Sequence, residues 1–411
     1  MSRPALAMIT GSYQPGRCGV SDYTSHLCQH LAQHGLSTTV LTTYAAARTH
    51  HSADVRGVVD DWSVGDMPTL ARAVQALNPA LLHIQHAAGS YGFQRALFGL
   101  PPLLRLAGWR GRLVTTVHEY GWWEWQPPHV PAGLVELAKR LGQRRGWWDR
   151  EDGFLLTMSD ALITTNSYAA HVIHERLNGH APPTHHIPIA ANITRASTDR
   201  ATARREVCAA TGWPADALIV AFFGFLHPVK GLETLLAAFA PVAATCPAAR
   251  LLLVGGVESL ALRGAEAERY WNTLHGLVAD ARLQNTVHLT GFLPDETASC
   301  YLQAADVGTL PFNQGVTLKS GSLLALFGHG LPVVATRHTP PDRDLEQATF
   351  LQMVPPRNAD ALAAALRALL NDPSARQGAG AAGAAFVERF SWPAIVCQHR
   401  GVYEQAISNG R

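Results

Sequence analysis

The sequence predicts an α/β protein made of two doubly wound, parallel-sheet domains. Three observations carry that reading. The chain has 411 residues, more than one core normally uses, and divides naturally into two domains of about 200 residues. Short apolar or β-branched runs alternate with longer stretches whose apolar residues fall at helical spacing, the pattern of parallel strands covered by helices. The alternation pauses once, near residue 193, and then restarts.

The elements follow in order. Ala5–Thr10 reads as a strand, and Ser12–Ser21 as a loop of Gly, Pro and small residues. Asp22–His34 carries Tyr23, Leu27 and Leu31 at helical spacing and closes at Gly35. Thr38–Thr42, Leu81–Ile84, Leu113–Val117 and Ala161–Thr164 continue the strands, the last followed by a helix over Ser167–Glu175. Around Thr184–Ile193 the rhythm pauses, and a polar stretch, Thr194–Arg205, follows. The boundary is therefore expected there, with domains over 1–193 and 194–388. The second domain restarts with a strand at Ile219–Phe223 and a helix over Gly231–Ala244. Strands at Leu251–Val254, Val287–Thr290, Asp306–Leu310 and Pro332–Ala335 follow, with a helix over Ser320–Phe327. A helix at Ala359–Leu370, an Ala/Gly-rich helical segment at Gly378–Ala385 and a last helix over Trp392–Ile407 complete the chain. Two such domains facing each other place a ligand cleft at the carboxyl ends of their strands.

Two loops point to a phosphorylated ligand. Gly315–Ala335 runs from a Gly/Ser/Thr segment into an apolar helix, and Lys319 stands in that segment. A helix start offers unpaired N–H groups and the positive end of a dipole, which suits a phosphate. Lys230 lies in Phe223–Leu236, again where a strand gives way to a helix. A cation there is disfavoured by the dipole unless an anion binds. Either loop alone is an ordinary strand–helix connection; together they suggest a grip on a diphosphate.

Composition excludes several classes. Apolar residues make up 47% and charged residues 16%, as in a packed globular protein rather than a disordered one. A net charge of +2 argues against a nucleic-acid partner. The six cysteines, Cys18, Cys28, Cys208, Cys246, Cys300 and Cys397, have neither CxxC pairing nor zinc-ligand spacing, and read as thiols in a reducing compartment. Neither a signal peptide nor an apolar run long enough to span a bilayer is expected. The expected location is therefore cytoplasmic.

The second half resembles the donor-binding domain of retaining glycosyltransferase family 4, whose fold pairs two Rossmann-like domains (GT-B). The resemblance rests on Gly224–Glu233, Leu251–Gly256, Gly291–Glu296, Ala304–Asp306 with Leu310 and Pro311, and Gly330–Ala335. Pro15–Tyr23, Val117–Glu119, and Ile187 and Pro188 with Asn192 match in the first half. Phe390–Trp392 with Tyr403 is similar to a C-terminal helix (389–411) that crosses back to the first domain. The family implies that Gly19 approaches the donor phosphates and Lys230 binds the diphosphate, with Lys319 adding charge. Ser320, Gly321 and Ser322 would receive the distal phosphate on their N–H groups. Gly291, Phe292 and Leu293 would cradle the nucleobase, and His118 would lie near donor sugar and acceptor. Two glutamates common in the family fall here on Thr317 and Ala325, and a common arginine on Phe225. The chain thus resembles a branch lacking the glutamate pair. Thr317 and Glu258 are the candidates for ribose or sugar contact.

On the acceptor side the candidates are Glu119, His86 and Tyr91, with His83 and Gln85 beside them. His118 and Glu119 follow a strand end; a buried structural histidine is the plainer alternative for His118, and its place beside the predicted cleft favours function. Family chemistry runs without a protein nucleophile, so no base is assigned. Trp122, Trp123 and Trp125 suit either a sugar-stacking platform or the small core of a lid. Segment 137–150 sets Lys139, Arg140, Arg144, Arg145 and Arg150 around Trp147 and Trp148. That composition fits peripheral contact with an anionic membrane; a solvated helix with inward tryptophans is the simpler reading.

The function expected is transfer of a sugar from a UDP- or GDP-linked donor to a saccharide or lipid-linked acceptor, with retention. Neither a cofactor nor a metal is expected, since no Asp-x-Asp motif is present. A sugar phosphorylase or atypical-donor transferase on the same fold, and a non-catalytic partner subunit, are the alternatives. A nicotinamide dehydrogenase is excluded, because no GxGxxG follows the first strand.

Overall fold

In the computed structural model, residues 6–13, 18–50, 52–120, 130–345 and 347–408 are described. The chain forms two compact units: residues 1–189 together with 392–411, and residues 190–391.

The first unit is built on seven parallel strands: β1 (Leu6–Thr10), β2 (Thr38–Thr43), β3 (Val55–Val59), β4 (Leu81–His86), β5 (Arg112–Val117), β6 (Ala161–Thr164) and β7 (Thr184–His186). Their order is β3-β2-β1-β4-β5-β6-β7. β1 and β4 are buried at every position, because helices cover both faces and leave no solvent side. The chain winds outward from β1 to β3, then returns to place β4 on the other side of β1. That reversal opens a crevice at the carboxyl ends of β1 and β4. Helix Trp392–Ser408 belongs to this unit, burying Trp392, Ile395, Val396, His399, Val402, Tyr403 and Ala406. Those residues recur every three or four positions, so one stripe of the helix faces the core.

The second unit holds β8 (Leu218–Phe223), β9 (Ala249–Val254), β10 (Val287–Leu289), β11 (Val307–Leu310), β12 (Val333–Thr336) and β13 (Gln352–Val354). All pairs are parallel, in the order β10-β9-β8-β11-β12-β13. Here the reversal lies between β8 and β11.

Several expectations need correction. Thr184–His186 is not part of a pause but the edge strand β7, and β3 and β13 are further edge strands that the sequence hides. Edge strands are partly exposed and carry polar residues, here Arg56, His185, His186 and Gln352, so no continuous apolar run marks them. The polar stretch ends in a helix, Arg200–Thr211, capped by Asp199, whose carboxylate accepts from Ala201 N and Thr202 N. The first helix begins at Gly19 rather than Asp22. The Ala/Gly segment is helical, within Pro373–Val387. Its composition is a packing requirement: a side chain at Gly380 would strike the Gly330 carbonyl, and one at Gly383 would meet the Phe327 ring.

Among the described residues, no helix is long and apolar enough to cross a membrane.

Candidate functional site

In the second unit, the loops that follow β8, β9, β10 and β11 are knitted together at the carboxyl edge of the sheet. Gly224 N donates to Val254 O at 3.0 Å, and Leu226 N to Gly256 O at 2.9 Å. Gly255 has φ of +148° and bridges to Gly291. A Cβ at Gly255 would enter the Gly224 carbonyl, so only glycine allows the two turns to touch. Across the reversal, Asn313 N donates to Val229 O at 3.0 Å and Asn313 Nδ2 to Pro228 O at 2.9 Å. These bonds draw the Lys230 turn onto the loop after β11. The Lys230 ammonium lies 3.8 Å from the centre of the Phe312 ring.

Lys230 is half-buried, and loss of hydration pulls its pKa down to about 8. No carboxylate pairs with it among the described residues, so the ring face is its main compensation. A cation in such surroundings is incompletely satisfied and would be stabilised by an anion.

Ser320 caps helix Gly321–Gly328, its hydroxyl accepting from Leu323 N at 3.3 Å. The Ser320 N–H donates to Thr317 O at 3.0 Å within its own loop. The N–H groups of Gly321 and Ser322 make no hydrogen bond among the described residues, as is usual for the first turn of a helix, and donors so placed suit an anion. The Ser322 hydroxyl lies against Gly224, 2.7 Å from where a Cβ there would stand. Thr317 and Lys319 are half-buried in the same loop, which is pinned by Leu318 N donating to Asp342 Oδ2 at 2.7 Å. Phe292 is 60% exposed and sits beside Gly256, an uncovered aromatic suited to stacking. Leu293 is half-buried beside it. Glu258 is exposed, and its carboxylate accepts from Gly264 N at 3.2 Å. It braces its own loop, so this candidate sugar contact is already engaged.

In the first unit, Gly19 opens helix Gly19–Gln33, a helix start rather than a loop. Among the described residues, nothing lies within 4 Å of where a Cβ there would stand. His118 follows β5 and is 7% exposed. Its backbone N donates to His86 O at 2.9 Å, and its Nε2 lies 2.8 Å from Gln85 Oε1. The Tyr23 ring meets it edge-on at 5.1 Å. Glu119 is half-buried beside it.

Two acceptor-side candidates turn inward. Tyr91 is buried, donates to Gln85 O at 2.9 Å and packs edge-on against Trp62. His86 is buried, with Nε2 2.9 Å from Asp152 Oδ1. Both spend their polar groups on partners within the fold, at the carboxyl end of β4. Asp149 belongs to the same cluster. It accepts from Tyr120 Oη at 3.0 Å and from the N–H groups of Glu151 and Asp152 at 2.9 Å. Burial, then the Asp152 charge, hold its carboxyl above the usual range. Sequence reasoning missed Asp149 and Asp152; an acidic run directly after the tryptophan pair was the available signal.

The two tryptophans part ways. Trp148 packs onto Gly142 of helix Ala132–Arg144 and meets Phe154 edge-on. Trp147 is half exposed, with the Arg145 guanidinium 4.9 Å over its ring. Leu134, Leu137 and Leu141 on the same helix are also exposed. Trp122, Trp123 and Trp125 lie outside the described residues. Among the described residues, no three His, Cys, Asp or Glu side chains come together to hold a metal.

These two sheets, each with its reversal and its loops at the carboxyl edge, define a two-Rossmann, GT-B architecture. Solved structures agree. Sucrose-phosphate synthase from Thermosynechococcus elongatus is 22% identical, with a TM-score of 0.71 over 98% of this chain and 99% of that one. Anabaena HepE in complex with UDP-glucose is 18% identical, with a TM-score of 0.68 over 97% and 99%. Residues 217–372, which lie within the second unit, match the family described as glycosyl transferases group 1. Among curated relatives, a phosphatidyl-myo-inositol mannosyltransferase of Mycolicibacterium smegmatis is 30% identical over 200 residues, 48% of each chain. A GDP-mannose-dependent monoacylated alpha-(1-6)-phosphatidylinositol monomannoside mannosyltransferase of Corynebacterium glutamicum is 28% identical over 246 residues, 57% of this chain and 60% of that one. The chain spans about half the length of the curated relatives it matches.

Proposed function

We propose that this protein is a glycosyltransferase that moves a sugar from a nucleoside diphosphate donor to a saccharide or lipid-linked acceptor, with retention of configuration. The observation that carries the reading is Lys230. It is a half-buried cation without a carboxylate partner among the described residues, stacked on Phe312 where the second sheet reverses. In the leaving step a nucleoside diphosphate accumulates negative charge, and Lys230 with the Gly321 and Ser322 N–H groups supplies the opposite charge. Phe292 stacks on the base. His118 serves the reacting sugar or acceptor. The match of this unit to the group 1 family supports the reading, as do the mannosyl relatives; the donor is UDP- or GDP-linked.

Calorimetric titration with UDP, GDP and ADP and their sugar conjugates tests it, with Lys230→Ala alongside. Tight binding of one diphosphate, weakened by the substitution, supports the donor site. No binding across the panel sinks the reading and moves weight to phosphorolysis or a non-catalytic role.

We also propose that the acceptor is met at an anionic membrane surface on the cytoplasmic side, through helix Ala132–Arg144 and Trp147. Exposed Leu134, Leu137 and Leu141 share this element with Arg140 and Arg144, as an interfacial helix requires. Co-sedimentation with phosphatidylglycerol vesicles should fall several-fold in Leu137→Glu; equal sedimentation of both proteins would remove the membrane from the proposal.

A further inference from the structure

The geometry points to Gln85 as the positioning residue that fixes which nitrogen of His118 carries the proton. We infer that Gln85 locks His118 with hydrogen on Nε2. Gln85 is in turn set by His83 and by Tyr403 of the C-terminal helix.

The argument starts with the amide, whose oxygen and nitrogen must be told apart by their partners. Gln85 Nε2 lies 3.6 Å from Met8 Sδ, a thioether that accepts and never donates. It also lies 3.5 and 3.4 Å from the two ring nitrogens of His83. Those nitrogens have their in-plane partners already: Tyr403 Oη at 2.8 Å on Nδ1 and Thr116 Oγ1 at 2.7 Å on Nε2. The amide NH2 therefore rests against the ring, where an N–H is favoured and a carbonyl oxygen is repelled. Turning the amide over would set its oxygen against both sulfur and ring. With the NH2 so directed, Oε1 faces His118 Nε2 at 2.8 Å and can only accept. His118 Nε2 must donate.

All these groups are buried, so water offers no alternative partner, and an unmade hydrogen bond carries its full desolvation cost. His83 stays neutral, its pKa held well below the ordinary value first by burial and then by His399 and His118. A neutral His83 gives a fixed ring for the amide to rest on. Tyr403, 320 positions away in sequence, anchors that ring. The C-terminal helix thus reaches the candidate reactive histidine through two side chains. The part His118 plays in sugar transfer rests on the glycosyltransferase reading; the tautomer does not.

Nitrogen-15 NMR of histidine-labelled full-length protein, recorded above the His118 titration, separates the two. Wild type and Gln85→Glu, which keeps an accepting oxygen, should show His118 as the Nε2–H form. Gln85→Leu and Gln85→Met should shift it toward a mixture, with kcat for sugar transfer down about tenfold or more and nucleotide affinity unchanged within about twofold. If Gln85→Leu does not fold, Gln85→Met, unbranched and of similar length, makes the same comparison. An unchanged Nε2–H signature in either folded variant overturns the inference, whether or not the protein transfers sugars.

Discussion

The two units share one architecture and treat their polar groups in opposite ways. At the carboxyl edge of the first sheet, side chains find partners within the protein: His118 with Gln85, His83 with Tyr403 and Thr116, His86 with Asp152. At the same edge of the second sheet, glycine turns bring backbones together and leave donors open. Gly321 and Ser322 keep their N–H groups, and Lys230 keeps its charge with an aromatic ring for company. The first edge spends most of its polar side chains on partners within the fold, which favours orientation. The second leaves a cation and helix-start N–H groups without protein acceptors among the described residues, which favours binding of an anion. A fold shared by both halves thus leaves the division of labour to loop chemistry.

Substitutions and pH should separate the edges. The largest effect is expected at the buried His86–Asp152 pair, both members of which are almost fully excluded from solvent. Asp152→Ala should cost about 3–5 kcal/mol of stability, read by urea unfolding, while nucleotide affinity holds. A loss below about 1 kcal/mol would make the first edge no more prebuilt than the second.

Next comes acid. Burial holds His399 at about 4, against 6.5 when unfolded. The unfolded chain therefore takes up a proton first as pH falls below 6.5, and stability declines until the folded pKa is reached. The decline attributable to His399 is up to about 3 kcal/mol. His399→Gln should lose less stability than wild type between pH 7 and 4; parallel curves would rule His399 out as the source.

Lys230→Ala should do the reverse of Asp152→Ala. Affinity for the bound nucleoside diphosphate should fall by about 1.5–3 kcal/mol, while thermal stability stays level or rises, since an incompletely solvated charge is gone. A clear drop in melting temperature would mean that Lys230 supports the fold.

The smallest effect concerns the same lysine. Its folded pKa of about 8 means the free protein loses this charge as pH rises through that value. Diphosphate affinity should then weaken by at most about tenfold per pH unit above 8, with proton uptake on binding at that pH. Titrations in buffers of different ionisation enthalpy measure the uptake, and a flat affinity from pH 7 to 9.5 in wild type contradicts it.

Much of this was legible in the chain, unevenly. Lys230 and the Ser320–Ser322 turn stand at strand–helix junctions, where local pattern is enough to locate a helix start. The bond from the Ser320 N–H to Thr317 O was not legible, because it depends on how the loop closes. Glu258 looked free for a sugar and is tied to Gly264 N. Tyr91 and His86 were expected on the acceptor side, and both are buried, His86 as the last residue of β4. In each case local pattern placed the residue near a strand end, and the direction of its side chain was left undetermined.

The sequence by itself determined the strands of both sheets' interiors, the restart of the pattern, and the strand–helix junctions that carry Lys230 and Ser320–Ser322. Those features depend on periodicity, glycine and capping residues within a few positions of one another, interactions that any short window contains. The tertiary structure alone decided the edge strands β3, β7 and β13, the inward turn of His86 and Tyr91, and the link from Tyr403 through His83 and Gln85 to His118. These depend on contacts between residues tens to hundreds of positions apart, where burial removes water as a competing partner and makes one arrangement of donors and acceptors far better than the rest.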